Sequence, residues 1–258
     1  MGLINWDSLT LFLYIVMRMS GFILTNPLFG RSNFPAYYKG GIVIAMSAVV
    51  SSFYTGEAVM PRTALEFAIK VLLEFGIGVV FSIIIQFFLY VPEQAGEVVD
   101  TQMGMSMARM YDAGAQASLT TTASLLNMLA ILVFFAANGH ITLLRIMLTS
   151  GEVVPYGAAA FGDMLANRAV ELFAECVLLS VKLSLPILAT ELMGQVGMGI
   201  LMKVIPQINV FAINIELKVL IGLSMLLLML TPFTEYLLRV ESGMLNALEE
   251  VLGLMGGA

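Results

Sequence analysis

The sequence predicts an all-α membrane protein of helical hairpins whose spans are kinked or incomplete. Three observations predict it. The chain of 258 residues is 59% hydrophobic and only 12% charged, with a mean hydropathy of +0.94, whereas a soluble domain carries about a quarter charged residues. Hydrophobic runs approach the roughly 20 residues that a bilayer crossing needs. Few of those runs are clean, because charges, prolines and glycines interrupt them. Residues 1–258 therefore read as a single integral membrane domain, with a polar loop at 91–118 and an amphipathic tail at 235–258.

Leu9 to Phe29 is the first span, with Trp6 and Tyr14 as interfacial anchors and Asn26-Pro27 near its end. No basic leader precedes it, so it is expected to remain attached as a span. Ile42 to Phe53 is short and follows a connection holding Arg31 and Lys39, which favours an N-terminus outside by the positive-inside rule. Phe67 to Val91 is long enough to cross. Leu119 to Ala137 runs up to Asn138-Gly139-His140, a break before Ile141 to Leu148. Gly151 to Asn167, with Pro155, Gly157 and Gly162, reads as a surface loop. Val170 to Ala189 is apolar, and Glu191 to Lys203 is glycine-rich up to Pro206. Val210 to Leu230 is the last span. From Thr231-Pro232 onward, Tyr236, Leu237, Val240, Leu248, Val251 and Leu252 alternate with acids and Arg239, the pattern of a helix lying at an interface or against a partner.

Several function classes drop out. The formal charge of -6 and the lack of a basic stripe exclude a nucleic-acid partner. Cys176 is the only cysteine and His140 the only histidine, so no internal disulfide, no thiolate zinc cluster and no multi-histidine metal site can be built. The glycines Gly194, Gly197 and Gly199 follow no strand and do not make a nucleotide fingerprint; close helix contact or a bend suits them better. No catalytic constellation can be assembled, and no cofactor or metal is expected.

Arg18, Lys70, Glu74, Glu175 and Lys182 lie within apolar runs, where a charge facing lipid costs about 2.5–3.5 kcal/mol at midspan. Lys70 with Glu74, and Glu175 with Lys182, share helical faces and could pair. An ion or proton relay is one use for such charges; packing in a large assembly is the preferred one. A secondary transporter with Glu74, Glu175 and Glu191 as coupling carboxylates is the alternative function. Glu93, Glu97 and Asp100 could be drawn as a catalytic pair, but acids at that density more often mark a solvated turn.

The stretch from Pro92 to Ser118 is unlike its flanks. Met103, Met105, Met107 and Met110 precede Tyr111 and a small-residue run. Thioether side chains adapt to irregular and changing gaps, so they suit a deformable seal around a passing polypeptide, or plain core filling. The residues alone leave both open.

Gly96-Glu97-Val98-Val99-Asp100-Thr101-Gln102-Met103-Gly104, then Asn138-Gly139-His140, then Pro206-Gln207-Ile208-Asn209-Val210-Phe211 resemble the FliR family of flagellar export-gate proteins, to which an injectisome subunit family is related. The resemblance runs from about the first span to Leu230. Ala113 and Glu216 stand where that family often has proline. The resemblance implies a non-enzymatic, structural and gating subunit of a type III secretion export gate. FliP-like and FliQ-like companions would complete a helical cone in the inner membrane, at the flagellar basal body. FlhB-like and FlhA-like proteins would act beside it, and unfolded flagellar proteins would pass through. It further implies that Gly104 to Ser118 plug the closed channel, with Met103, Met105, Met107, Met110 and Tyr111 as the gate. Gly96, Asp100, Gln102, Gly104, Asn138, Gly139, His140, Pro206, Gln207, Asn209 and Phe211 are then the family's structural positions.

Overall fold

Apolar runs this long must satisfy their own backbone hydrogen bonds, and helix is the way an open chain does so in lipid. The computed structural model describes residues 6–27, 35–56, 58–105, 119–159, 161–204 and 210–256. Among them the regular structure is α-helical: α1 (Trp6–Thr25), α2 (Ala36–Phe53), α3 (Ala64–Met103), α4 (Thr121–Ala136), α5 (Gly139–Val153), α6 (Asp163–Val204), α7 (Val210–Leu228) and α8 (Leu230–Met255). α1, α3 and α6 are each long and apolar enough to cross a membrane. Two further pairs, α4 with α5 and α7 with α8, qualify only as broken spans. The second pair bends by 64° about Met229. Asn138, between α4 and α5, has φ 60, a left-handed conformation that asparagine tolerates better than most side chains. The kinked and incomplete spans are borne out.

Two expected boundaries move. α3 has 40 residues and contains Pro92, so 92–103, expected to be loop, form its last turns. Ala95, Val99 and Met103 recur every fourth residue and are fully buried; this stripe stabilises helix where the acids suggested a turn. Likewise α6 is one helix of 42 residues passing through Pro186, not two segments. Gly194 approaches Ile221, and the glycines do not end it. At about 1.5 Å per residue, α3 and α6 are each about 60 Å long, roughly twice a hydrocarbon core. Neither fits inside a bilayer from end to end.

The chain divides into two compact units. The first comprises Met1–Phe88, Gly139–Phe173 and Ser242–Ala258, the second Leu89–Asn138 and Ala174–Glu241. The amphipathic tail, expected at an interface or against a partner, is the helix α8, and part of its apolar stripe is buried within the protein. Phe233 and Leu237 join the core of the second unit, while Met244, Leu248, Val251, Leu252 and Met255 are buried in the first.

In the first unit α1 meets α3 with no room for side chains. A Cβ on Gly21 would lie 2.2 Å from the Phe75 carbonyl oxygen, and one on Gly78 2.2 Å from that of Arg18. Beside this crossing Arg18 and Glu74, both fully buried, pair at 2.7 Å. The guanidinium also donates to the Ser150 hydroxyl at 3.2 Å and to the Val154 carbonyl at 3.1 Å, and its Cζ lies 4.2 Å from the Tyr156 ring centroid. The other Glu74 oxygen accepts the Gly157 N–H at 2.7 Å. Gly157 has φ +82, and a Cβ there would strike the Val59 carbonyl. Burial pushes the Tyr156 phenol up to about 12, against the pull of Arg18, so a neutral ring faces the cation. The pair is thus surrounded by hydrogen bonds that offset its desolvation.

Breaking that pair from one side leaves a buried charge alone. Arg18→Met is expected to destabilise the protein by about 3–5 kcal/mol, and Arg18→Met with Glu74→Met together by much less. Unfolding of each variant in detergent, followed by circular dichroism, measures the difference.

Candidate functional site

The site is built on the end of α3 and the start of α4, in the second unit. Gly96 permits the approach: a Cβ there would lie 2.2 Å from the Ala123 Cα. The helix backbones therefore touch, as small residues allow. On the same side of α3, Glu93, Glu97 and Asp100 follow at intervals of four and three residues, which is one helical face.

That face is aimed at the first turn of α4, whose N–H groups have no partner within their own helix. The N-cap residue Thr120 makes no side-chain cap bond; carboxylates from α3 supply the acceptors. The Asp100 carboxylate accepts the Thr122 N–H at 2.7 Å and also the Thr122 hydroxyl, and Asp100 is fully buried. Glu97 accepts the Thr120 N–H at 3.2 Å. Glu93 accepts from the Asn127 amide at 2.6 Å. Negative charge at a helix N-terminus also interacts favourably with the helix dipole. Asp100 and Glu97 cap α4, and Glu93 holds the Asn127 side chain further along it, so the three acids do not form a solvated turn.

Asp100 works at both helix ends. Its carbonyl accepts the Met105 N–H at 2.9 Å, while the Gly104 N–H donates to the Thr101 carbonyl at 3.2 Å. With Gly104 at φ +83, this is a Schellman ending, which needs a left-handed residue at that place. Met105 and Thr120, described on either side of residues 106–118, are thus both hydrogen-bonded to this stem at the end of α3.

Methionines pack under the stem. Met103 is fully buried, and a Cβ on Gly222 would lie 2.4 Å from its sulfur. It shares a core with Leu126, Leu183, Ile187 and Leu226, against which Met105, Met225 and Met229 lie partly buried. Gln102 is half-buried. Met107, Met110 and Tyr111 lie outside the described residues, as do Pro206, Gln207 and Asn209; Phe211 falls in α7. Asn138 closes α4, its N–H donating to the Phe135 carbonyl at 3.2 Å, and Gly139 and His140 begin α5.

The embedded charges separate into groups. Arg18 and Glu74 are the buried pair described above. The expected Lys70–Glu74 pair is not made: Lys70 takes Glu66 at 2.9 Å and the Val59 carbonyl at 3.2 Å, because Glu74 faces α1. Glu175 and Lys182, expected to be buried, are exposed on α6, and Glu191 is fully buried there. Among the described residues no group of three His, Cys, Asp or Glu side chains gathers to hold a metal ion. Sequence reasoning missed Thr120, Thr122 and Asn127. The threonine run before an apolar helix was the available signal.

The family model described as "Bacterial export proteins, family 1" matches residues 9–243. The chain belongs to that family. It is 26% identical to the flagellar biosynthetic protein FliR of Escherichia coli (strain K12) over 254 residues, covering 96% of this chain and 95% of that one. Against FliR of Bacillus subtilis (strain 168) it is 24% identical over 255 residues, 97% of each. The Yop proteins translocation protein T of Yersinia pestis is 25% identical over 189 residues, 69% of this chain and 72% of that protein. The resemblance to FliR carried by the three motifs is borne out. This bacterial export protein is a multi-pass membrane component of an export apparatus.

The clamp has a measurable strength. Asp100→Ala leaves two α4 donors without their charged acceptor, and is expected to lower stability by roughly 2–3 kcal/mol. Gly96→Val should be worse, since backbone must move. The buried thiol of Cys176 reports both changes as earlier reaction with a thiol-reactive dye during heating.

Proposed function

We propose that this export protein is a structural and gating subunit of the flagellar type III export gate. With FliP-like and FliQ-like companions it forms the inner-membrane channel at the basal body through which unfolded flagellar proteins leave. FlhB-like and FlhA-like proteins serve that channel, and no catalysis belongs to this chain. The observation that supports the reading is the stem: Asp100 and Glu97 clamp the start of α4 to the end of α3, where Gly96 lets the helices touch and Met103 and Met105 pack into the core. Thioether side chains such as those of Met103, Met105, Met107 and Met110 suit a seal that closes against ions and yields to a polypeptide.

The surface of α6 supports companions. Glu175 and Lys182 stand exposed among Val177, Leu178, Val181 and Leu185. Against lipid each charge would cost about 2.5–3.5 kcal/mol at midspan, a cost that a covering subunit reduces. Relatives named FliR match nearly the full chain, which favours flagellar over injectisome use. Coupled transport is the weaker reading, because Glu74 is tied to Arg18 and to the Gly157 N–H inside the protein.

Deleting Met105 to Ala115 is expected to make the closed channel leak ions and small molecules while the complex still assembles. Whole-cell conductance and co-purification with the companions check the two halves. An assembled complex with unchanged conductance refutes the seal. A proton-dependent flux lost on Glu74→Gln would restore the transporter.

A further inference from the structure

A cavity of about 340 Å³ lies between α5 and α8 in the first unit, at the lower end of small-ligand pockets. Its floor is apolar: Ile146 and Leu252 line it, and both are buried. Its rim is polar. Arg145 stands on α5, with Thr142 one turn before it and Thr149 one turn after it, and Glu249 stands on α8. Helical spacing puts the two hydroxyls on the guanidinium's side of α5. Neither Arg145 nor Glu249 makes an ion pair among the described residues, in contrast to Arg168, which takes both Glu171 and Glu250.

We propose that this cavity binds the headgroup of a zwitterionic phospholipid, phosphatidylethanolamine. A guanidinium is suited to a phosphodiester, which it can meet with two parallel hydrogen bonds, and the Thr142 hydroxyl adds a donor. Glu249 across the cavity takes the ammonium end. An anionic headgroup such as phosphatidylglycerol would set its phosphate well but leave Glu249 without a cation. The volume suits a headgroup rather than a whole lipid. The exposed side chain of Val153, which lines the cavity, and that of Ile141 on the same helix offer apolar surface for acyl chains. A free phosphate ester shares the polar chemistry but makes no use of that surface. The site is separate from the stem and does not rest on the gating proposal.

The full chain, purified from membranes with the companions it retains and stripped of lipid, is titrated with phosphatidylethanolamine, with phosphatidylglycerol and with water-soluble glycerophosphoethanolamine. Native mass spectrometry counts the adducts. Phosphatidylethanolamine is expected to fill one site in preference to phosphatidylglycerol. Arg145→Gln should weaken it about tenfold, the scale of one charge-assisted hydrogen bond, while Arg145→Lys keeps most of the affinity. Glu249→Gln should retain binding and lose the preference. Unchanged binding in Arg145→Gln overturns the proposal, and so does a wild-type protein without preference. Equal affinity for the soluble headgroup assigns the cavity to a free phosphate ester, and cross-linking of Thr149→Cys to a companion protein with no lipid bound assigns it to a peptide; either result refutes the lipid.

Discussion

One buried carboxylate organises the second unit. Asp100 has no access to water, so its charge is tolerable only while the Thr122 N–H and hydroxyl face it. That requirement fixes α4 against α3 at the spacing Gly96 allows. The same residue's carbonyl ends α3 through the Met105 N–H. Helix end, helix start and interhelical distance are thus three results of one placement. Hydrophobic burial alone would not produce it, because apolar contact is non-directional and permits α4 to slide along α3. Hydrogen bonds to a charge do not permit sliding.

The two units solve the same problem differently. The first brings α1 and α3 together through Gly21 and Gly78 and neutralises Arg18 with Glu74 across the crossing. The second clamps its carboxylates with backbone N–H groups of α4. In both, close backbone approach and a polar interaction occur side by side. Small residues bring the helices near enough for short polar side chains to reach across, and the polar groups set the register that small residues alone leave free. Glu175 and Lys182 on α6 lie on a surface rather than at a helix crossing.

Most helices were legible from their apolar runs, and the breaks at Asn26-Pro27 and Asn138-Gly139 fell where turn chemistry puts them. Residues 92–103 were not, because acid content is a local signal and the Ala95–Val99–Met103 stripe counts only once a neighbour covers it. Pro92 and Pro186 added to the misreading, since proline usually interrupts a helix. For α8 the amphipathic pattern was legible while what covers it stayed open: periodicity reveals that a face is covered, not by what. The motif at 96–104 could be recognised as a string, yet its meaning depends on Thr120 and Thr122, about twenty residues on. Lys70 and Glu74 satisfy the spacing of an i, i+4 pair, and Arg18, far away in sequence, takes Glu74 instead.

The Arg18 cluster also bears on how the chain is made. Its acceptors lie 56, 132 and 136 residues downstream. At about 5–20 residues per second, Arg18 is synthesised roughly 3–11 s before Glu74 and roughly 7–27 s before its last acceptor. Until Glu74 arrives, α1 is a greasy helix carrying a bare cation, poorly suited to rest alone in lipid. The nascent segment must be sheltered by water, by the insertion machinery or by a subunit already in place. The order of biogenesis is to that extent written into the distance between Arg18 and Val154.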